Sequence, residues 1–345
     1  MLAAVSVLSL GLLLSACSTS KESELVASSP EDSFTNPVST IGNDPYVINH
    51  GDGYLAVESK NGGLWVTQSE PGNLTGIFKS SVTEKIWDTP TAGANCKDVW
   101  APELHLLDDA WYVYYAATTC DGDNANHRMF VLKSDSMDPL GSYTDLGPVA
   151  MREDFWAIDG TVVDLEGQRY FLWSGWEAEE DGQQNLYIAP MDSPTTLAAE
   201  RVKLSEPTET WEKMAMPIQE GPQVLVKEDT THVIYSASGS WTDDYAYGAL
   251  TFQGGDVLDP LNWVKTPHAL FGKTDKVTGV GHGSFVVSPD GTEDWMIYHA
   301  SRAPGSGWDR VLRMQPFEWE GTKPVFGEPV GPDITLKLPS GELKP

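Results

Sequence analysis

The sequence predicts an all-β protein that folds as a single five-bladed β-propeller. Three observations carry this prediction: a turn motif recurs along the chain, an aromatic or β-branched run follows each copy, and long helical periodicity is absent. The lead residues recur at intervals of 59, 56, 61 and 62 residues, and they are Asp44, Glu103, Asp159, Glu220 and His282. A period of this length, with several short strands in each repeat, is typical of propeller blades and not of a β-sandwich, whose turns have no larger period.

The strands are predicted in the order in which they follow each motif. The first strand of each blade is predicted at Tyr54–Val57, Trp111–Tyr115, Tyr170–Trp173, His232–Tyr235 and Trp295–Tyr298. The next strand is predicted at Leu64–Thr67, Met129–Leu132, Asn185–Ile188, Ala249–Phe252 and Val311–Met314. Still later strands are expected to include Trp87, Tyr143, Trp263 and Trp319. Gly-, Asp- and Asn-rich turns separate these segments.

Composition limits the function classes. The 345 residues include 40% hydrophobic and 10% aromatic residues, which is enough for one large core. Lys and Arg number 22 against 50 Asp and Glu, giving a net charge of −28 that repels phosphate backbones and anionic surfaces. We therefore expect no nucleic-acid partner and a neutral or cationic ligand. We also expect a monomer.

The N-terminal residues resemble an export signal. Leu2–Leu14 is an apolar run without charge that is too short to span a bilayer. Leu14-Ser15-Ala16-Cys17 then resembles a bacterial lipobox, which implies cleavage before Cys17 and a lipid on its thiol. The alternative is an ordinary signal peptide with an incidental cysteine. We predict an exported lipoprotein that is anchored to the cell envelope through the outer or the cytoplasmic membrane.

These patterns divide the chain into four segments. Residues 1–16 are predicted to be the signal peptide, and residues 17–35, which are rich in Ser and Glu, a flexible tether. Residues 36–338 are predicted to form the five-bladed propeller domain, and residues 339–345 a C-terminal tail.

Two further cysteines lie in the second repeat. Cys96 and Cys120 flank its predicted first strand, and no nearby His or Cys spacing indicates zinc. In an exported chain, pairing is favoured over metal binding or catalysis. We predict a disulfide between two loops at one end of a blade, with unpaired thiols as the alternative.

The repeat has a functional consequence because the innermost strands of a propeller line its channel, where equivalent positions converge. Four of the five lead residues are acids: Asp44, Glu103, Asp159 and Glu220. Converging carboxylates repel one another unless they bind a ligand or share protons. Glycoside hydrolysis requires such groups, since one carboxyl must donate a proton while another activates water or attacks the sugar.

Tryptophans near these positions could stack on sugar rings. They are Trp100, Trp156, Trp173 and Trp176. For any one of them, burial in the core is the alternative, and Trp100 is the strongest candidate because it adjoins a lead turn. Glu103 is either a channel carboxylate or a structural hydrogen-bond acceptor for backbone donors, and we favour the second.

Several ordered motifs together resemble glycoside hydrolase family 43, over roughly Asn36 to Pro329. These are Asp44-Pro45, Trp100-Ala101-Pro102-Glu103, Ile158-Asp159-Gly160-Thr161, Trp173-Ser174-Gly175-Trp176-Glu177, Gln183-Gln184-Asn185, Glu220-Gly221-Pro222 and Gly281-His282-Gly283-Ser284. The Trp-Ser-Gly-Trp-Glu and Gln-Gln-Asn segments are most similar to the α-L-arabinofuranosidase branch. The last motif departs from the Gly-His-Asn-Ser of family members. The resemblance implies a five-bladed propeller and an inverting hydrolase.

The resemblance also implies roles for single residues. Asp44 matches the general base, Glu220 the general acid, and Asp159 the carboxylate that orients the acid and raises its pKa. His282 matches a channel histidine that approaches a bound cation, commonly calcium, through water. Arg313 is a candidate for the guanidinium that holds Asp159 ionised, or it is a structural arginine. We expect one structural Ca²⁺ in the channel and no organic cofactor.

The predicted function follows from this set. We expect release of pentose, chiefly α-L-arabinofuranose, from arabinan or from arabinose-substituted plant or algal polysaccharide, with Trp100, Trp173 and Arg313 binding the sugar. The alternatives are a β-xylosidase or an endo-arabinanase of the same family, or a non-catalytic glycan-binding lipoprotein. Retention of all three carboxylates favours an enzyme.

Overall fold

The computed structural model describes Met1 and residues 32–179 and 181–343. The predicted signal-peptide core, Cys17 and most of the predicted tether lie outside the described residues. Five antiparallel sheets, each built from consecutive strands, form the blades and confirm the predicted five-bladed propeller. Across residues 32–343, the helices include short 3-10 turns at Ile77–Lys79, Asn124–Asn126, Thr210–Lys213 and Pro260–Asn262. No helix of the described chain is long and apolar enough to cross a membrane.

The blades follow one another along the chain. Blade 1 comprises β2 (Tyr46–His50), β3 (Gly53–Lys60), β4 (Gly63–Gln68) and β5 (Thr83–Asp88). Blade 2 comprises β6 (Lys97–Leu107), β7 (Ala110–Thr118), β8 (Arg128–Ser134) and β9 (Tyr143–Pro148). Blade 3 comprises β10 (Ala157–Leu165), β11 (Gln168–Trp176), β12 (Gln184–Ser193), β13 (Thr196–Leu197) and β14 (Val202–Ser205). Blade 4 comprises β15 (Gln219–Lys227), β16 (Thr230–Ala237), β17 (Ala246–Phe252) and β18 (Trp263–Lys265). Blade 5 comprises β19 (Gly281–Val287), β20 (Asp294–Ser301), β21 (Arg310–Glu320) and β22 (Lys323–Val325).

The strands predicted to be first in each blade are in fact second. Tyr54–Val57 lies in β3 and Trp111–Tyr115 in β7, whereas the lead motifs themselves form or directly precede the innermost strands. The motifs resemble turns because they contain Gly and Pro and because the pairing with the second strand shifts register at each of them in blades 2 to 5. The prediction that Trp319 belongs to a later strand than Val311–Met314 is also wrong, because both lie in the third strand, β21.

Second strands carry most of the core. All nine residues of β7 are buried, and Val113, Tyr114 and Tyr115 have no exposed surface. Such a strand packs against a neighbouring blade on each face, so its side chains are apolar on both. Each large side chain buried in this way stabilises the fold by about 1.5–3 kcal/mol.

Blades 1 and 5 close the ring through specific hydrogen bonds. The Val47 N–H donates to Ser284 Oγ at 2.9 Å. The Asn49 amide donates to the Val287 carbonyl and accepts from the Val287 N–H, both at 3.0 Å. The side chain of Tyr54 also donates to the Val287 carbonyl, at 2.8 Å.

The two ends of the described chain meet beside this closure. Strand β1 (Ser33–Thr35) pairs antiparallel with β23 (Thr335–Lys337), so the last residues of the predicted tether are part of a sheet. Residues of the predicted C-terminal tail also contact the propeller. Glu342 accepts hydrogen bonds from the Leu74 and Thr75 N–H groups, each at 3.1 Å.

The antiparallel register defines two faces of the propeller. Four of the five lead residues lie just before or within the first three residues of the innermost strands, whereas Glu103 lies further along β6. The ends of the second strands pair beside these four, as in Glu220 with Ser236 and Gly281 with His299. The loops that follow the second strands therefore share one face with the lead residues, which we call the site face. The opposite face is called the far face.

The disulfide lies on the site face. Cys96, just before β6, is bonded to Cys120, which follows β7, and their Cα atoms are 5.1 Å apart. This confirms the predicted pairing of two loops at one end of a blade.

Candidate active site

Each blade has at least one residue in the left-handed backbone region just before or within the first five residues of its innermost strand. These residues are Asp44 (φ 46°), Ala101 (43°), Asp159 (57°), Gly221 (57°) and His282 (38°), and β6 has a second one, Asp98 (φ 47°). Outside glycine this conformation is uncommon and costs energy, and it recurs at functional sites. In blades 2 to 5 it coincides with the shift in register, which redirects the neighbouring side chains.

Two of the predicted carboxylates lie beside one imidazole, and the charge of the third, Glu220, also acts on the pKa of that imidazole. His282 Nδ1 lies 3.3 Å from Asp44 Oδ1 and 3.7 Å from Asp159 Oδ2. Asp159 Oδ2 also accepts a hydrogen bond of 3.1 Å from the Gly221 N–H, which directly follows Glu220. The structure therefore brings together the predicted base, acid and orienting carboxylate, each contributed by a different blade.

Asp44 is kept ionised by cations and hydrogen bonds. Burial opposes its ionisation, but the charge of His282, a side-chain hydrogen bond with His299 and the charge of Arg310 hold its pKa well below the usual range. His299 Nδ1 and Arg310 Nη1 lie 3.1 Å and 3.4 Å from Asp44 Oδ1. The Asp44 side chain is 19% exposed, so water can reach it.

The surroundings of Glu220 shift its pKa in the opposite direction, toward the protonated form. Burial and then the charge of Asp159 raise its pKa to about 8, against the lowering effects of His282 and of the hydrogen bond from Tyr245. The Tyr245 hydroxyl donates to Glu220 Oε1 at 2.8 Å. Burial, joined by the charge of Asp44, also raises the pKa of Asp159, to about 6, although His282 and the Gly221 N–H oppose the shift. Near neutral pH the site thus holds a protonated Glu220 beside the ionised Asp44 and Asp159.

His282 does not belong to a metal cluster. Among residues 32–179 and 181–343, no group of three or more His, Cys, Asp or Glu side chains could hold a metal ion. The imidazole faces two carboxylates instead, and burial lowers its pKa less than the surrounding carboxylates raise it. These residues do not fit a directly ligated metal, and a calcium contact through water stays a prediction.

The position after His282 also differs from the family motif for a steric reason. A Cβ at Gly283 would lie 1.9 Å from the Ile297 carbonyl oxygen and 2.7 Å from the Tyr247 hydroxyl. With the backbone in this position, no side chain fits there, so the asparagine of the family motif would require a shift of the strand.

Arg313 is not at the carboxylate cluster. Its guanidinium donates to the Val330 carbonyl, and the residue is 4% exposed, so it is a structural arginine. The arginine that reaches the site is Arg310, which contacts Asp44 and not Asp159. Sequence reasoning missed Arg310, His299 and Tyr245. His299 and Arg310 lie at adjacent ends of the second and third strands of blade 5, where Gly281 pairs with His299 and Ser301 with Arg310, and Tyr245 lies in the loop before the third strand of blade 4. These positions follow from strand register, for which the sequence carried no signal.

Of the four tryptophans predicted near the lead residues, three are buried in the core and one is exposed at the surface. Trp173 is 1% exposed and packs against Phe171 and Tyr187, so it is a core residue that cannot present a ring face to sugar. Trp156 and Trp176 are likewise buried and stack on each other. Trp100 is 37% exposed and stacks on the buried His127 ring, with centroids 3.9 Å apart.

Glu103 accepts hydrogen bonds from side chains rather than from the backbone. His105 Nε2 lies 2.9 Å from its Oε2, and the Gln223 amide donates to its Oε1. The residue is 3% exposed and is a buried acceptor that links blades 2 and 4 across the channel.

Comparisons with known proteins agree with this geometry. The family model for Glycosyl hydrolases family 43 matches residues 34–323. An extracellular exo-α-(1→5)-L-arabinofuranosidase of Streptomyces avermitilis is 34% identical over 89% of this chain, which spans 66% of that protein. A protein of the same name from Streptomyces chartreusis is 31% identical over 77% of this chain and 82% of its own length. The crystal structure of α-L-arabinofuranosidase from Lactobacillus brevis superposes with a TM-score of 0.80, at 31% identity, over 87% of this chain and 98% of that one. The chain therefore belongs to glycosyl hydrolase family 43.

Proposed function

We propose that this chain is an inverting α-L-arabinofuranosidase that releases arabinose from arabinan or arabinose-substituted polysaccharide. The observation that carries the proposal is the pairing of an ionised Asp44 with a Glu220 whose pKa is raised to about 8. Two carboxyl groups held in opposite protonation states are what acid–base hydrolysis of a glycosidic bond requires. The names of the three relatives above, all arabinofuranosidases, support arabinofuranose as the sugar.

In the proposed mechanism the two carboxyls act on opposite sides of the sugar. Glu220 gives its proton to the oxygen of the leaving group, while Asp44 takes a proton from a water molecule that attacks the anomeric carbon. Asp159 acts through Glu220, because its charge keeps the acid protonated and its hydrogen bond fixes the Gly221 turn. Inversion requires about 6.5 to 9.5 Å between acid and base, which leaves room for the water.

We further propose that the protein is exported, lipid-anchored at Cys17 and monomeric, and that Trp100 contributes a sugar-stacking surface. Two of the relatives are named extracellular enzymes, which supports export. The half-exposed ring of Trp100 on the site face supports the sugar contact.

Removing each carboxyl should have a different effect on substrates with good and poor leaving groups. Glu220→Ala should lower kcat on arabinan about 10²–10⁴-fold but should affect an aryl arabinofuranoside with an activated phenolate far less, since that leaving group needs no acid. Asp44→Ala should abolish hydrolysis of both, and azide should restore product of inverted configuration. A panel of aryl arabinofuranosides and xylopyranosides separates an arabinofuranosidase from a β-xylosidase.

Early-time NMR of the parent reaction gives the decisive control. Product of retained configuration, or a trapped covalent glycosyl-enzyme, would be incompatible with Asp44 as a base. Binding of arabinan without any hydrolysis would instead support the non-catalytic alternative.

A further inference from the structure

We propose that Trp241 and Trp308 form an aromatic corner that binds the neutral sugar units beyond the scissile bond, on the leaving-group side. This inference rests on the proposed function, because it names how the same site holds a glycan chain longer than one sugar.

The two rings lie together on the site face. Trp241 belongs to the loop at 238–245, which follows the second strand of blade 4, and Trp308 to the loop at 302–309, which follows the second strand of blade 5. Their centroids are 5.6 Å apart, and their planes meet at 64°. Trp241 is 37% exposed and Trp308 65% exposed, so both rings present surface to solvent.

Hydrogen bonds connect the corner to the proposed base. Trp308 Nε1 donates to Ser240 Oγ at 3.3 Å, and Arg310 Nη2 donates to the Ser240 carbonyl at 2.7 Å. The other nitrogen of the same guanidinium, Nη1, lies 3.4 Å from Asp44 Oδ1. One arginine therefore fixes the aromatic corner relative to the base.

The corner is also tied to the proposed acid. The loop that carries Trp241 ends at Tyr245, whose hydroxyl donates to Glu220. Because the acid protonates the departing oxygen, sugars that leave with that oxygen lie on the Glu220 side of the channel. The Trp241 loop borders that side, which assigns the corner to the leaving group.

Both loops are held rigidly. Asp243 Oδ1 accepts from the Gly305 N–H at 2.8 Å and from Thr278 Oγ1 at 2.9 Å, and so joins the two loops. The Trp241 ring packs on Gly239, where an added Cβ would lie 3.0 Å from it. A corner that is ordered before binding loses little conformational entropy when a ligand arrives.

The chemistry of the corner selects its ligand. Aromatic faces suit the apolar C–H faces of a sugar ring, and the net charge of −28 disfavours an anionic ligand. Two side chains expose far less than the roughly 800 Å² per partner of a stable protein interface. A saccharide continuous with the channel is therefore the occupant that fits.

The test compares substrates of increasing length. We expect Trp308→Ala to lower kcat/KM on an α-1,5-linked arabinopentaose about tenfold relative to its effect on 4-nitrophenyl arabinofuranoside. Trp241→Ala should act in the same direction. Leu261→Ala is the matched control, because Leu261 is 89% exposed on the far face and should leave both substrates unaffected.

A binding measurement separates failure of this inference from failure of the proposed function. Affinity electrophoresis in arabinan gels is run with Glu220→Gln, alone and combined with Trp308→Ala. Retardation that is lost in the double variant supports the corner even if the parent hydrolyses no arabinoside. Equal retardation of the two proteins, or no retardation of either, overturns it, as does a loss of kcat/KM that does not depend on substrate length.

Discussion

Residues at the channel entrance combine backbone strain with function. Asp44, Asp159 and His282 carry side chains at positive φ, whereas blade 4 uses Gly221 for that position and places the proposed acid, Glu220, one residue earlier. A Cβ at Gly221 would lie 2.9 Å from Cγ of His282, so only glycine fits beside the imidazole. The strain, on the order of 1–3 kcal/mol per non-glycine residue, is offset by the surrounding sheets.

The charge of Asp159 should be visible in the pH profile. We expect kcat/KM on arabinan to fall as the pH rises through about 8, where Glu220 loses its proton. In Asp159→Asn the neighbouring negative charge is gone, which lowers the pKa of Glu220 and moves this alkaline limb to lower pH.

The profile measured with an activated aryl substrate is the control, since that reaction needs little proton donation. An alkaline limb that stays at the same pH in Asp159→Asn would contradict the proposed electrostatic role.

Sequence reasoning locates the channel residues of the lead motifs but not their partners. Asp44, Asp159, Glu220 and His282 recur at a fixed place in the repeat, and the structure brings them together. The contacts of Arg310 depend instead on the register between β20 and β21, which periodicity does not specify. The prediction of Arg313, three residues further along the same strand, is wrong for this reason.

Within each blade, the apolar run identifies a strand more reliably than the lead motif before it does. Second strands are buried on both faces, so their sequences are continuously apolar and predict strands correctly. The innermost strands contain glycine, proline and bulges, and their sequences therefore resemble turns. The prediction that Trp173 binds sugar is wrong for a related reason. The ring is buried, and the sequence does not show which face of a strand packs against the next blade.

The disulfide should stabilise the site face of blade 2. It closes a segment with a sequence separation of 24 residues, and such cross-links contribute about 2–4 kcal/mol. We expect the double variant Cys96→Ser/Cys120→Ser to lose about that much free energy of unfolding in urea titrations. Parent protein treated with a reductant should reproduce the loss, whereas an unchanged transition in both samples would show that the cross-link is not stabilising.

For the whole molecule, the proposed acid costs stability. The pKa of Glu220 is about 8 in the folded protein, against an ordinary value of 4.5 for a glutamate side chain, so the folded protein binds this proton more tightly than the unfolded chain. The proton on Glu220 therefore contributes stability that is fully present below about pH 4 and is lost as the pH rises through about 8. Above that pH the buried carboxylate destabilises the fold. We expect Glu220→Gln to be more stable than the parent, by a margin that grows from pH 5 to pH 9 to a few kcal/mol at most.

Thermal unfolding at the two pH values measures this margin. Glu318→Gln, at an exposed carboxylate, is the control and should show the same small difference at both. A margin for Glu220→Gln that does not change with pH would mean that burial of this acid is not a cost to the fold.

The strand β1 fixes the place where the N-terminal segment joins the propeller. Its Phe34 packs on Trp295, at the start of the strand whose other end, His299, lies beside the proposed base. The chain therefore enters the propeller near the far face. The channel mouth opens on the opposite, site face, so the proposed attachment at Cys17 would leave that mouth uncovered and open to a large glycan.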